Sequence, residues 1–351
     1  MNKISVEVLG SSHSEKISVK INGLPMGASV DTKELQSFVN RRKASNSSFS
    51  TKRIEPDKII VEKGIKAGEI NGEIIASIEN KNTKSNDYDN LKYIPRPSHA
   101  DYGAMLKYGI DYDLTGGAEF SGRMTAPLCI AGGIVKQLLK RNHIEILAYV
   151  SSVGKIKCTS YEDKKFTTEE LIEVGKKKLP VFSNEEEIVE LFNECAKNKD
   201  SVGGTIDCIV RGLKGGIGGA LFNGIEGKLS SYLFAVPSVK AVEFGLGTKF
   251  SESFASEVND CYRFNNDKVE LVTNNNGGIV GGISTGEDIL IRVTLKPTPS
   301  IAQVQHSINM KTRENVDIEI KGRHDVCHTI RAVAPIESVV AIGLWNILSE
   351  V

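Results

Sequence analysis

Six short segments hold most of the residues that could do chemistry in this 351-residue chain. The first is Gly10-Ser11-Ser12-His13-Ser14-Glu15, where small residues let backbone N–H groups face a ligand and His13 sets a titratable imidazole beside hydroxyls. The second is Asn40-Arg41-Arg42-Lys43, with Lys52-Arg53 following a serine-rich stretch. Guanidinium forks suit phosphate and carboxylate, although cations at a helix end also simply complement its dipole. The third, Arg96-Pro97-Ser98-His99-Ala100-Asp101-Tyr102, puts four polar or titratable side chain types beside a rigid proline. The fourth, Thr115 to Thr125, is a glycine-rich loop (Gly116, Gly117) that leads into an apolar stretch, the arrangement of an anion site at a helix N-terminus. It has neither the GxGxxG register of a dinucleotide fold nor the GK[ST] ending of a P-loop. The fifth is Asn274 to Gly286, whose paired glycines allow close approach to a flat ligand, with Lys296-Pro297-Thr298-Pro299-Ser300 downstream. The sixth, Lys321-Gly322-Arg323-His324-Asp325, places a carboxylate beside arginines, with Arg331 close behind. Each segment alone also fits an ordinary turn, connector or surface ion pair.

The elements that must carry these segments can be read from periodicity. Residues 3–9 alternate as a strand, with a hairpin partner at 17–21. A helix is predicted over 30–42, with Asp31 as its N-cap. Strands are expected at 58–62 and 73–78 around a 64–72 turn region. Residues 80–97 read as a loop. Residues 125–141 read as a buried helix, with Pro127 in its first turn and Gly132-Gly133 allowing another element close. A strand at 144–152, charged helices over 167–198 broken at Pro180, strands at 205–211 and 289–295, and an apolar helix at 336–348 complete the pattern.

Composition narrows the function classes. Lys+Arg and Asp+Glu both number 44, so no global field favours nucleic acid or membrane, and anion binding must come from local clusters. The six cysteines form no CxxC pair, which argues against a zinc site or a disulfide scaffold. No apolar leader and no bilayer-length apolar run is seen, so a cytoplasmic protein without metal is expected. No composition shift marks a boundary, and residues 1–351 are expected to form a single domain.

Taken in order, the segments resemble the chorismate synthase family: GSSHS (10–14), NRRKASNSSFSTKRIEPD (40–57), RPSHADY (96–102), GGAEFSGRMT (116–125), DSVGG (200–204), NNNGGIVGGISTG (274–286), KPTPSI (296–301) and GRHDVC (322–327). The chain departs from the family pattern at Ser14 and Ser98 (usually Gly), at Ala44-Ser45 (Pro-Gly), at Glu119 (often Arg or His) and at Val326 (Pro).

The resemblance implies an α+β fold of central helices sandwiched between antiparallel β-sheets, assembled as a homotetramer. It implies a 1,4-anti elimination of phosphate from 5-enolpyruvylshikimate 3-phosphate to give chorismate, with reduced FMN required and no net redox change. By the same resemblance His13 assists the departing phosphate, His99 protonates or hydrogen-bonds the flavin, and Asp325, supported by Ser12, relays protons. Arg42, Arg53, Arg96, Arg123 and Arg331 would bind the substrate's anionic groups. Glu119, Phe120, Ser121, Pro237, Ser238, Gly281, Lys296 to Ser300 (with Pro297, Thr298 and Pro299) and Arg323 would hold FMN. Arg42 and Ser48 would meet NADPH. A flavin oxidoreductase using NADPH and a non-enzymatic polyanion-binding protein are the competing readings.

Overall fold

The computed structural model describes residues 2–43, 56–80, 91–320 and 325–350. Of the residues assigned above, Ser48, Arg53 and Arg323 lie outside that set.

Two antiparallel sheets enclose a helical layer. The first has the order β1-β2-β4-β3, built from β1 (Ser5–Leu9), β2 (Lys16–Asn22), β3 (Ile60–Lys66) and β4 (Glu69–Glu79). The second has the order β6-β5-β7-β13-β8, from β5 (Glu145–Val153), β6 (Ile156–Lys157), β7 (Gly204–Arg211), β8 (Val239–Phe244) and β13 (Ile289–Leu295). Between them lie α3 (Thr125–Arg141) and α8 (Thr329–Leu348), which pack on each other. Helix α3 also meets β2 and β4, while α8 meets β5 and β7. The α+β sandwich therefore has the expected layering. The principal apolar cluster draws on residues from Ile4 to Ile347 and passes through both sheets and this seam.

Around the sandwich sit α1 (Thr32–Asn40), α2 (Asp101–Tyr108), α4 (Thr168–Lys176), α5 (Glu185–Lys197), α6 (Ile225–Leu233) and the short α7 (Ala255–Val258). Three two-stranded ribbons complete the chain: β9 (Tyr262–Asn265) with β10 (Lys268–Leu271), β11 (Ile279–Val280) with β12 (Ile283–Ser284), and β14 (Val304–Asn309) with β15 (Glu314–Glu319). Asp31 caps α1, its Oδ1 accepting from the Lys33 and Glu34 amides at 2.8 and 3.0 Å.

Several boundaries differ from the sequence expectation, and two of them are informative. The turn between β3 and β4 is only Ala67-Gly68, not residues 64–72. Gly64 lies within β3 at a register shift, with φ +88° and its α-carbon hydrogen aimed at the Glu73 carbonyl, so it marks a bulge. Helix α8 starts at Thr329, seven residues before the predicted 336, because Pro335 sits inside the helix. Arg331, whose carbonyl loses its partner there, is close enough to the N-terminus for the break to be tolerated.

Apolar side chains surround α8 on all faces, which fits a helix buried between two sheets. Its one acid, Glu337, is fully buried and satisfied by Arg41 of the α1 C-terminus (two bonds of 2.8 Å), by Lys136 of α3 and by the Ala148 amide of β5 at 2.9 Å. Burial pushes the Glu337 carboxyl up, but Arg41 and Lys136 outweigh it and hold the group ionised.

At the α3–α8 crossing, a Cβ on Gly132 would stand 2.3 Å from the Ser338 Cα, a backbone contact that no rotamer relieves. Gly132→Ala gains up to about 1 kcal/mol of helix propensity. Forcing the helices apart costs about 1–3 kcal/mol or more, so overpacking wins. The expected outcome is a lowered midpoint in urea unfolding; an unchanged or raised midpoint would show that the helices are not this close.

Candidate active site

The strand-end loops and helix termini on one side of the sandwich converge on a cleft of about 730 Å³. His13 reaches it from the β1–β2 loop, His99 from the loop before α2, and Asp325 from the segment before α8. Arg42, Arg96, Arg123 and Arg331 line it together with Lys43, Lys240 and Lys296. Against these seven cations stand Asp57, Asp101, Glu119 and Asp325, leaving a cationic excess among the described lining residues.

Ser12 is not at the surface of the cleft but behind His13. Its Oγ lies 2.9 Å from His13 Nδ1, 3.0 Å from the Gly116 carbonyl and 3.3 Å from the Thr115 carbonyl. Carbonyls only accept and a hydroxyl has one proton, so Ser12 donates to the carbonyls and accepts from Nδ1–H. That network assigns the His13 tautomer and leaves Nε2 as the nitrogen that can exchange a proton. Gly116 packs flat against this imidazole: at φ +64°, a Cβ there would fall 1.9 Å from His13 Cε1.

His99 Nε2 is 2.7 Å from Ser300 Oγ, and Lys296 donates to the Ser98 carbonyl. The 296–300 segment is thereby tied to the histidine loop. Arg96 grips Asp101 with two bonds of 2.7 and 2.8 Å, in nearly complete burial. Burial raises the Asp101 carboxyl, but the Arg96 hydrogen bonds and charge bring it below its ordinary value.

The buried Asp57 carboxylate lies between Arg42 and Arg123, and Arg123 Nε donates to Asn80 Oδ1 at 2.9 Å. Asn80 in turn donates to the Ser14 carbonyl at 2.8 Å, which links the arginines to the His13 loop. Arg331 donates to Asp325 at 2.6 Å and to the Arg42 carbonyl at 3.0 Å. Arg42 is pushed down to about 10, first by burial and then by the nearby Arg331 and Arg123 charges.

Of the residues assigned to a flavin, Glu119, Phe120, Ser121, Pro237, Ser238, Lys296, Thr298, Pro299 and Ser300 line the cleft. Pro297 lies between two lining residues without lining it. Gly281 is not among the lining residues and belongs to the β11–β12 hairpin turn. Both Glu119 oxygens accept from the Tyr112 hydroxyl at 2.8 Å, and that bond raises Tyr112 to about 12. Three lining residues other than glycine, Asp57, Ser98 and Ser238, hold positive φ (44°, 59° and 76°). Such strain persists only where the surroundings enforce it.

Asp57, Asp101, Gly116 and His328 were not assigned roles from sequence. Asp57 and Asp101 were visible inside quoted motifs, but nothing in spacing shows that they pair with arginines. His328 has no motif signal. Its Nδ1 is 2.9 Å from Thr298 Oγ1, while its buried Nε2 has no hydrogen-bond partner among the described residues.

A family model described as chorismate synthase matches residues 4–348. A chorismate synthase from Lancefieldella parvula is 40% identical, covering 98% of this chain and 94% of the relative. One from Methanocaldococcus jannaschii is 39% identical over 98% of this chain and 94% of the relative. A crystal structure of chorismate synthase superposes with a TM-score of 0.75 at 21% identity, covering 100% of this chain and 93% of the other. The chain belongs to the chorismate synthase family, phosphate-eliminating lyases that use reduced FMN.

The cleft suits such a group. Its volume lies within the range of cofactor pockets. Phe120, Phe234, Val236, Pro237 and Pro299 offer apolar surface to a ring, and the cations offer charge to a phosphate. The buried Arg42 Nε has no hydrogen-bond partner among the described residues and remains for an anionic ligand.

Two outcomes are expected. Gly116→Ala should lower kcat by about a hundredfold, the scale of a lost general acid, and also lower the melting temperature, because alanine at φ +64° is strained and its Cβ displaces the His13 ring; unaltered kcat, measured well below the melting temperature, would show that His13 placement does not matter. Burial depresses His328 to about 4 from 6.5, so unfolded chains bind the extra proton between those values. Stability from this group is complete above pH 6.5 and lost as pH falls to 4, about 3 kcal/mol at most. Urea unfolding of His328→Val at pH 7.5 and 4.5 should show a shallower acid loss than the parent; equal losses would refute the assignment.

Proposed function

We propose that this cleft eliminates phosphate from 5-O-(1-carboxyvinyl)-3-phosphoshikimate to form chorismate. The observation that carries the reading is the convergence of His13, His99 and Asp325, from three distant segments, on one arginine-lined cleft. Arg42, Arg96, Arg123 and Arg331 bind and orient the substrate's phosphate and carboxylates. Arg53, outside the described residues, would join them by resemblance. His13, held by Ser12 through Nδ1–H, acts as the imidazolium and gives its Nε2 proton to the phosphate oxygen as the C3–O bond breaks, leaving the neutral Nδ1–H tautomer. Protonation there offsets the charge that develops on the leaving group. The proton from C6 leaves toward the Asp325 side of the cleft, where Arg331 orients the carboxylate. The ring gains one double bond, and atoms and electrons balance without an external oxidant.

Reduced FMN, when bound, supplies electron density to the substrate ring. Ser121, Ser238 and Lys296 to Ser300 would hold it, His99 would hydrogen-bond it, and Phe120 and Pro237 would exclude water from its face. Both Glu119 oxygens are engaged by the Tyr112 hydroxyl, which fixes the orientation of this carboxylate.

We also propose a homotetramer. Leu221, Phe222, Phe254 and Phe264 are 90%, 95%, 74% and 80% exposed, a liability for a lone subunit. Gly281, beside the exposed Val280 and Ile283, would then meet the flavin of a neighbouring subunit. A cytoplasmic location and a single domain fit the placement of α8, long and apolar enough to cross a membrane yet 89% buried over its most apolar window, in the shared core. NADPH as the reductant, near Arg42 and Ser48, rests on resemblance alone.

The test is anaerobic turnover with pre-reduced FMN, followed by phosphate release. Phosphate and chorismate should form in equal amounts with no NADPH consumed, and His99→Ala should be at least about a hundredfold slower. Phosphate release that requires stoichiometric NADPH would favour an oxidoreductase; no release at all would overturn the assignment.

A further inference from the structure

We infer that Asp57 is a positioning residue that fixes Arg42 and Arg123 as the two arms of one anion clamp, with Gln36 of α1 as its brace. The inference rests on the proposed reaction, since it concerns how that substrate is held.

Each Asp57 oxygen serves a different element. Oδ2 accepts from Arg42, just past the end of α1, at 3.0 Å, and Oδ1 accepts from Arg123, just before α3, at 2.5 Å. The carboxylate is 1% exposed, and both guanidiniums are buried beside it. One carboxylate therefore sets the separation of two cations that would otherwise repel each other.

The backbone shows that this placement is enforced. Asp57 holds φ +44°, a conformation that an aspartate rarely adopts without support. Gln36 provides that support from both sides: its Nε2 donates to the Asp57 carbonyl at 3.0 Å, and its Oε1 accepts from the Ile59 amide at 2.9 Å. Gln36 lies in α1 and Arg42 two residues past its end, so the brace and one arm are joined by a short stretch of chain.

Asp57 also cancels part of the positive charge that draws the substrate in. An anion site built only for affinity would omit it. Its presence favours geometry over attraction, and geometry matters most in the transition state. The two effects separate experimentally. Inorganic phosphate tests charge, being small and able to bind in many orientations. Turnover of the enolpyruvyl substrate tests geometry.

The experiment compares wild type with Asp57→Asn, an isosteric neutral replacement. It measures kcat and KM with pre-reduced FMN, the dissociation constant of inorganic phosphate by calorimetry, and the unfolding midpoint. The expected result is a kcat at least about thirtyfold lower, with phosphate bound as tightly as by wild type or more tightly. An unchanged kcat overturns the inference. So does a parallel fall in kcat, phosphate affinity and midpoint, which is the signature of a merely structural residue. If Asp57→Asn does not fold, Gln36→Leu keeps the carboxylate and removes both braces; kcat should fall about five- to tenfold with phosphate binding unchanged, and a wild-type kcat refutes the brace. Should wild type bind phosphate but form no chorismate, the proposed reaction fails, and the clamp is judged on binding alone: Asp57→Asn must bind phosphate at least as tightly, and weaker binding overturns it.

Discussion

Seven lysine and arginine side chains share one cleft, several of them buried, and at about 4 Å two like charges repel by about 4 kcal/mol in a partly buried setting. That repulsion must be met before any ligand arrives. The protein meets it by giving its arginines internal partners: Arg42 and Arg123 share Asp57, Arg96 takes Asp101, and Arg331 takes Asp325. Backbone groups add to several of these pairs: the Arg96 amide donates to Asp101, and Arg331 donates to the Arg42 carbonyl. The resulting scaffold holds a cationic excess in a defined shape.

The catalytic candidates hang from the same framework. Asn80 connects Arg123 to the loop of His13, Ser300 connects His99 to the 296–300 segment, and Arg331 connects Asp325 to the end of α1. Loops that are remote in sequence are therefore held in register by polar contacts over the apolar seam of α3 and α8. A substitution at one arginine is felt at a histidine by a traceable chain of bonds.

Much of this was legible in the sequence, for identifiable reasons. Alternation in 3–9 and small-residue periodicity in 125–141 report local burial directly, and both elements were found with boundaries close to those observed. The histidines, Asp325 and most arginines were marked by dense polar motifs. What stayed hidden depends on partners far away in the chain. Pro335 concealed the first turns of α8, because a proline reads as a boundary unless the surrounding core is known. Gly64 suggested a turn although cross-strand contact with Glu73 makes it a bulge. The role of Gly116 depends on the ring of His13, 103 positions earlier, and His328 carries no local signal at all. Pairing of Asp57 with Arg123 spans 66 positions and follows only from the fold.

Helix α8 serves two offices along one axis. Its N-terminal turn, with Arg331, Ala332 and Pro335, forms a wall of the cleft, and the remainder is the central beam between the sheets. The cleft wall and the beam are one continuous helix, so a change in the packing of the beam is carried to the wall. Adaptation of such an enzyme to cold or heat must then act through its peripheral loops, because any mutation that makes this helix more pliant spends the integrity of the entire molecule.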